Sequence, residues 1–279
     1  MPQGPRRRPV AFLPSLATLA NLACGIGALV YIQDAAATGV LKPLYIAAWL
    51  LVLAAIFDAL DGKLARLTSQ SSDLGAQLDS LADAITFGVV PALLARGLVI
   101  AQGPLLGIRM HPRLLMVAPI LFAICAVLRL ARFNVEQNNG TGDPDHRRFV
   151  GLPSPAAASL PIALTLFYFG VADRTFLLGF SEATVTVVRE TILRILPFTL
   201  ILTAALMVTR VPYPHFMAYL SGMRRSFTLM AEVVLLAGLM LVEPELALLL
   251  LALVFVSLPA ILACVRWTRG RLSVADRPA

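Results

Sequence analysis

The sequence predicts an all-α fold, a polytopic membrane helix bundle of about eight transmembrane helices with both termini cytoplasmic, and three observations predict it. First, 58% of the residues are hydrophobic, only 14% are charged, and the mean hydropathy is +0.82, values outside the range of soluble domains. Second, apolar runs long enough to cross a bilayer recur at 12–32, 43–65, 75–100, 113–133, 155–172, 192–209, 226–242 and 246–266. Third, Lys and Arg alternate in density between successive connections. Arg6, Arg7, Arg8, Lys63, Arg66, Arg129, Arg132, Arg147, Arg148 and the arginines from Arg266 onward collect on one side, against a sparse set that includes Lys42, Arg109, Arg113 and Arg189. The dense side is expected to be cytoplasmic.

Residues 1–11 are basic, like the start of a signal peptide, but no small-residue cleavage site with a soluble sequel follows, so the first apolar run is expected to stay as a span. Thr18 and Asn21 place polar groups along that span at helical spacing. They serve either helix packing or a ligand. The net charge of +7 follows from the basic flanks of the spans, and no interleaving of aromatic and basic residues argues for nucleic acid. Cys24, Cys125 and Cys264 sit singly in apolar runs and are expected to be small core residues. No solenoid-length repeat or soluble linker divides the chain, so one integral domain is expected over 1–279.

The second and third runs enclose the densest acidic stretch, DALDGKLARLTSQSSDLGAQLDSLAD, from Asp58 to Asp83. At about 100° per residue, Asp58, Asp61, Gly62 and Ala65 share one helix stripe, and Gly75, Asp79 and Asp83 stack at i+4 spacing on a second helix. The polar residues Thr68 to Asp73 between them suit a short connection between antiparallel neighbours. Facing stripes would pool four carboxylates in one pocket, and ionised carboxylates so close together need protons or divalent cations. Hard oxygen donors suit magnesium, manganese or calcium, and two such ions can clamp a diphosphate. Gly62 and Ala65 would leave room for backbone to approach it. A simpler reading is a polar hairpin whose acids pair with Lys63 and Arg66.

The string D-x2-D-G-x2-A-R-x8-G-x3-D-x3-D, filled by Asp58, Asp61, Gly62, Ala65, Arg66, Gly75, Asp79 and Asp83, resembles the signature of the CDP-alcohol phosphotransferases. That resemblance implies two divalent cations, with Asp58, Asp61 and Asp79 as metal ligands and Asp83 as both ligand and general base. It also implies a site for the CDP part formed by Arg66 and Ser72 beside the small residues Gly62, Ala65 and Gly75, with Thr18 and Asn21 on the first span helping to hold the cytidine nucleotide. A homodimer is implied as well.

Further along, RLARFN at Arg129 to Asn134 and F-x-GLPSPAAA at Phe149 to Ala158, together with PSLATLANLACG at Pro14 to Gly25, are similar to the phosphatidylserine synthase branch of that family. The implied reaction is attack of L-serine on CDP-diacylglycerol, at the inner membrane with the site facing the cytoplasm. Arg129 and Arg132 share a helix face near the acidic pocket, and with Asn134 they are candidates to hold serine's carboxylate; snorkelling and topology are the plainer explanation for such arginines. Two other functions stay open on sequence alone. One is a sister enzyme that takes glycerol 3-phosphate, inositol phosphate or choline, and the other is a cation- or proton-coupled transporter built on buried carboxylates.

Overall fold

The structure, a computed structural model, describes residues 12–68, 73–138, 149–172, 179, 181–209, 212–213 and 237–275. Its long helices are α1 (Phe12–Thr38), α2 (Lys42–Thr68), α3 (Asp73–Asp83), α4 (Val90–Gln102), α5 (Pro112–Asn138), α6 (Ser154–Ala172), α7 (Glu182–Val208) and α8 (Pro244–Ala275). Six stretches are long and apolar enough to cross a membrane, with α3 and α4 forming one of them, Leu74–Gln102. These match the first six expected spans. The eighth, 246–266, falls within α8, whereas most of the seventh, 226–242, lies outside the described residues. The only other regular structure among the described residues is a π-helical turn at Ala84–Val89, a 3-10 turn at Pro104–Leu106, a helical segment at 237–242 and a two-residue antiparallel pairing, Phe149 with Tyr213 and Val150 with Pro212.

α1 lies along α2 and also packs against α3 and α4, so it lines both arms of the acidic stretch. α5 packs on α7, and α6 packs on both α7 and α8. The core at their contacts holds Leu44, Leu51, Phe87, Leu94, Leu98, Phe122, Leu166 and Tyr168, each buried. Gly39 ends α1 at φ +71°, and its N–H bonds back to the Ala35 carbonyl at 3.0 Å, a left-handed stop that glycine adopts without a Cβ penalty.

The third span is not one regular helix. Between α3 and α4, residues Ala84–Val89 form a π-helical turn. Pro91, in the first turn of α4, supplies the reason. It has no N–H to give the Phe87 carbonyl, and its ring crowds that carbonyl, so the preceding turn widens. Thr86, Phe87 and Gly88 of this turn are buried.

One segment differs from expectation near the opposite end of the bundle, and a second holds buried acids. The residues Glu182, Arg189 and Glu190, expected in a connection, form the first turns of α7, which Ser181 caps by accepting from the Thr184 N–H at 3.3 Å. Glu243 and Glu245 lie where the helical segment at 237–242 gives way to α8, and both are buried. Glu245 accepts a hydrogen bond from the Tyr45 hydroxyl at 2.9 Å, which satisfies a carboxylate that the local sequence shows only as a turn residue.

Candidate functional site

Asp58 comes from the C-terminal half of α2, and Asp79 and Asp83 come from α3. One carboxylate oxygen from each lies within 4.8 Å of the others. Asp83 is buried, while Asp58 and Asp79 are half-buried. Three ionised carboxylates at that separation repel by about 3 kcal/mol per pair at an effective dielectric of about 20. The arrangement persists only with positive charge or protons inside it. An all-oxygen donor set of hard carboxylates at a boundary of the apolar spans fits a divalent cation of the magnesium or manganese type.

Asp61, one turn on from Asp58, is also buried, but it stands outside this converging set. Its carboxylate accepts a hydrogen bond from the Thr18 hydroxyl of α1 and acts electrostatically on Asp58 and Asp79. Asn21, one turn further along α1, is fully buried and donates from Nδ2 to Asp83 Oδ1 at 3.2 Å. Its Oδ1 has no hydrogen-bond partner among the described atoms, so a buried acceptor beside the carboxylates stays available to a ligand. Thr18 and Asn21, expected to face a nucleotide, thus contact the acidic residues directly. The space beside Gly62 is open, with nothing within 4 Å of where a Cβ would stand. Gly75 is half-buried on α3. The side chains of Ala65 and Arg66, in the last turn of α2, and all of Ser72 lie outside the described residues.

Two pairs tie the site to α5 and α6. Arg129 donates to the hydroxyl of Ser154, fully buried at the start of α6, at 3.1 Å. Its guanidinium lies 5.7 Å from the centre of the Phe133 ring and acts through space on Asp83. Asn134 and Ser80 exchange hydrogen bonds at 3.0 and 3.1 Å, which joins α5 to the residue after Asp79. Arg132 is half-buried in the same stretch. Gly151, at φ +94°, bends the chain into α6, and the Leu152 N–H bonds to the Leu206 carbonyl at 3.1 Å. The lead-in that carries Ser154 is thereby fixed to the end of α7.

A second polar cluster, not anticipated from the sequence, closes the far end of the bundle. The Tyr168 hydroxyl donates to Gln102 Oε1 at 2.8 Å, and Arg189 donates to the same Gln102 oxygen at 3.0 Å and to the Tyr168 oxygen at 2.5 Å. The Arg189 guanidinium also stacks over the Tyr168 ring, 4.7 Å from its centre. α4, α6 and α7 meet here. These residues are far apart in sequence, and nothing in their local patterns links them.

The site also shows a contact that the PSLATLANLACG stretch alone did not explain. A Cβ placed on Gly25 would lie 2.4 Å from Thr86 Oγ1 and 3.2 Å from Thr86 Cα, so α1 touches the π-helical turn through a glycine. The turn begins directly after Asp83, the carboxylate to which Asn21 of the same helix α1 donates.

A bundle of apolar helices with converging aspartates at one boundary defines a polytopic membrane protein with a candidate divalent-cation site. The family model for CDP-alcohol phosphatidyltransferase matches residues 11–188, and the chain belongs to that family. It is similar to the CDP-diacylglycerol–serine O-phosphatidyltransferase of Helicobacter pylori (strain ATCC 700392 / 26695), 33% identical over 265 residues, covering 93% of this chain and 92% of the relative. The protein of the same name from Mycobacterium tuberculosis (strain ATCC 25618 / H37Rv) is 36% identical over 164 residues, 58% of this chain; the match spans about half, 52%, of that relative's length. The Bacillus subtilis (strain 168) protein of that name is 31% identical over 158 residues, 56% of this chain and 77% of the relative.

Proposed function

We propose that the protein transfers the phosphatidyl group of CDP-diacylglycerol to the hydroxyl of L-serine, giving phosphatidylserine and CMP. The observation that carries this reading is the convergence of Asp58, Asp79 and Asp83 within 4.8 Å in a chain of this family whose relatives carry that activity in their names.

In this reading Asp58, Asp79 and Asp83 would hold divalent cations, and Asp61, which stands beside them bonded to Thr18, would serve as the further ligand that a second ion needs; the ions would be magnesium or manganese by the hardness of the donors, with calcium as the remaining choice. When bound, they neutralise the diphosphate and lower the energy of the charge that develops during transfer. Thr18 and Asn21 orient Asp61 and Asp83 from α1, and Gly62, Ala65, Arg66, Ser72 and Gly75 accept the CDP part. Asp83 takes the proton from the serine hydroxyl as that oxygen bonds to the lipid-side phosphorus. The bond from that phosphorus to the bridging oxygen breaks, and CMP leaves with the electron pair. Arg129, Arg132 and Asn134 hold the carboxylate of serine, and Arg129 does so from a position already fixed by Ser154. Positioning and charge neutralisation supply most of the rate. The dense Lys and Arg side supports a site at the cytoplasmic face of the cell membrane; in this reading the protein forms a single integral domain, and two copies form a homodimer.

The test is CMP release by purified protein given CDP-diacylglycerol with L-serine, glycerol 3-phosphate, inositol phosphate or choline in turn. Release with serine alone supports the reading. Release only with another alcohol moves the protein to a sister activity, and no release with any acceptor removes the transferase reading in favour of transport.

A further inference from the structure

Arg96 is a cation inside a membrane-capable stretch. It sits on α4, about 9 Å short of the far end of Leu74–Gln102 and roughly 20 Å along that stretch from Asp83 at 1.5 Å per residue, so it stands apart from the acidic site. Its side chain is half-buried, and among the described residues it makes no hydrogen bond, ion pair or ring contact. No acid on the helices around it is placed to meet it. α4 carries none, and the one acid of α5, Glu136, lies about 24 Å along that helix from Ile120. On α7, Glu182 is in the first turn, and Glu190 is held by Arg194 at 3.1 Å. An arginine within a span is costly, and it ordinarily faces a partner or a cavity.

Arg96 faces a cavity. A groove of about 230 Å³ lies between α4 and α5, and Arg96 is the one polar side chain on its wall. The rest is apolar, from Val89 and Leu93 on α4 to Met116, Ile120 and Ala123 on α5. α5 runs back along α4, so Arg96 lies toward Met116, near the far boundary, and Val89 lies toward Ala123, about 10 Å deeper. Met116 and Ile120 are exposed, which opens the groove to the surrounding bilayer. The slot is thus cationic at its boundary end and apolar beneath. A free anion would leave the apolar walls unused, and a zwitterionic headgroup brings an ammonium of its own. We propose that an anionic phospholipid of the leaflet opposite the acidic site binds here. Arg96, snorkelling toward the boundary, takes its phosphate by forked hydrogen bonds, and the upper part of one acyl chain lies along the groove. Such a basic recess between spans is a form of lipid-headgroup recognition, and it is independent of the transferase reading.

The experiment uses the full chain in detergent with phosphatidylglycerol that carries a diazirine in the upper part of one acyl chain. This probe labels segments 89–96 and 116–123, and unlabelled phosphatidylglycerol displaces it at a concentration about tenfold or more below that of phosphatidylcholine. Arg96→Met weakens the labelling at least about tenfold, the loss of a charge-assisted contact. Arg96→Lys keeps the charge without the fork and loses less. Arg113→Met, which removes an exposed cation near the same boundary, leaves the labelling unchanged. Ile120→Trp fills the groove from its exposed rim and removes the labelling with the arginine intact, which keeps the test open if Arg96→Met does not fold. Three results overturn the proposal. One is equal displacement by phosphatidylcholine, and another is labelling of Arg96→Met within about twofold of wild type. The third is labelling that appears only as copies of the chain dissociate, which makes this face an interface between two copies instead.

Discussion

Replacing Gly25 with alanine tests whether the contact between α1 and the π-helical turn sets the geometry of the site. The new methyl would lie 2.4 Å from Thr86 Oγ1, 3.1 Å from its Cβ and 3.2 Å from its Cα, against 3.4 Å for ordinary contact. Rotation of the Thr86 side chain can remove the first overlap but not those with Cβ and Cα. α1 must then back away by a few tenths of an ångström, and by about 1 Å if Thr86 keeps its rotamer, and a 1 Å misplacement near a reacting centre costs on the order of 100-fold. Overpacking of this kind costs about 1–3 kcal/mol of stability. Gly25→Ala is therefore expected to lower kcat/KM for CMP release by about 10- to 100-fold and to reduce the thermal midpoint in detergent. Gly27→Ala on the same helix is the control, because its methyl would meet only Leu50 Cδ1 at 3.5 Å. It is expected to be neutral or to stabilise by up to about 1 kcal/mol through helix propensity. Adding Thr86→Ala to Gly25→Ala removes the shortest overlap and recovers part of the loss. A Gly25→Ala protein with kcat/KM within about twofold of wild type would refute the reasoning.

Asp83→Asn keeps the shape of the side chain but cannot accept the serine proton; kcat is expected to fall by about 10²- to 10⁴-fold, measured by CMP release with donor binding checked separately. Arg189→Met at the far end breaks two hydrogen bonds and leaves Gln102 and Tyr168 partnered with each other. Its stability is expected to fall by about 1–3 kcal/mol, seen as a lower thermal midpoint with unchanged kcat/KM. Gly151→Ala forces a Cβ onto a backbone at φ +94° and within 2.5 Å of the Met207 carbonyl oxygen. That strain costs about 1–3 kcal/mol, and because it shifts the lead-in to Ser154, both the midpoint and the apparent affinity for serine should drop.

The parts of the molecule legible in the sequence were those with a local cause. Length and hydropathy gave six of the spans, and i+3 and i+4 spacing gave the two acidic stripes that bring Asp58, Asp79 and Asp83 together. What was not legible depended on contacts between distant segments. Asp61 has the spacing of a fourth member of the cluster, yet its partner Thr18 is 43 residues away on α1. The buried Glu245 is explained by Tyr45, 200 residues earlier, and the Arg189 cluster by Gln102 and Tyr168. The π-helical turn had a local signal in Pro91, which lies within an otherwise uninterrupted apolar run and can be read as removing a backbone donor. Gly25 carried no such signal, since its meaning lies in Thr86 on another helix.

Manganese binding, followed by electron paramagnetic resonance on the purified chain, tests the central claim most directly. The wild type is expected to take up Mn²⁺ and to release CMP only with metal present, while Asp58→Asn, Asp79→Asn and Asp83→Asn each weaken uptake and the triple variant abolishes it. Undiminished Mn²⁺ uptake by the triple variant, or full CMP release by the wild type in excess chelator, would contradict it.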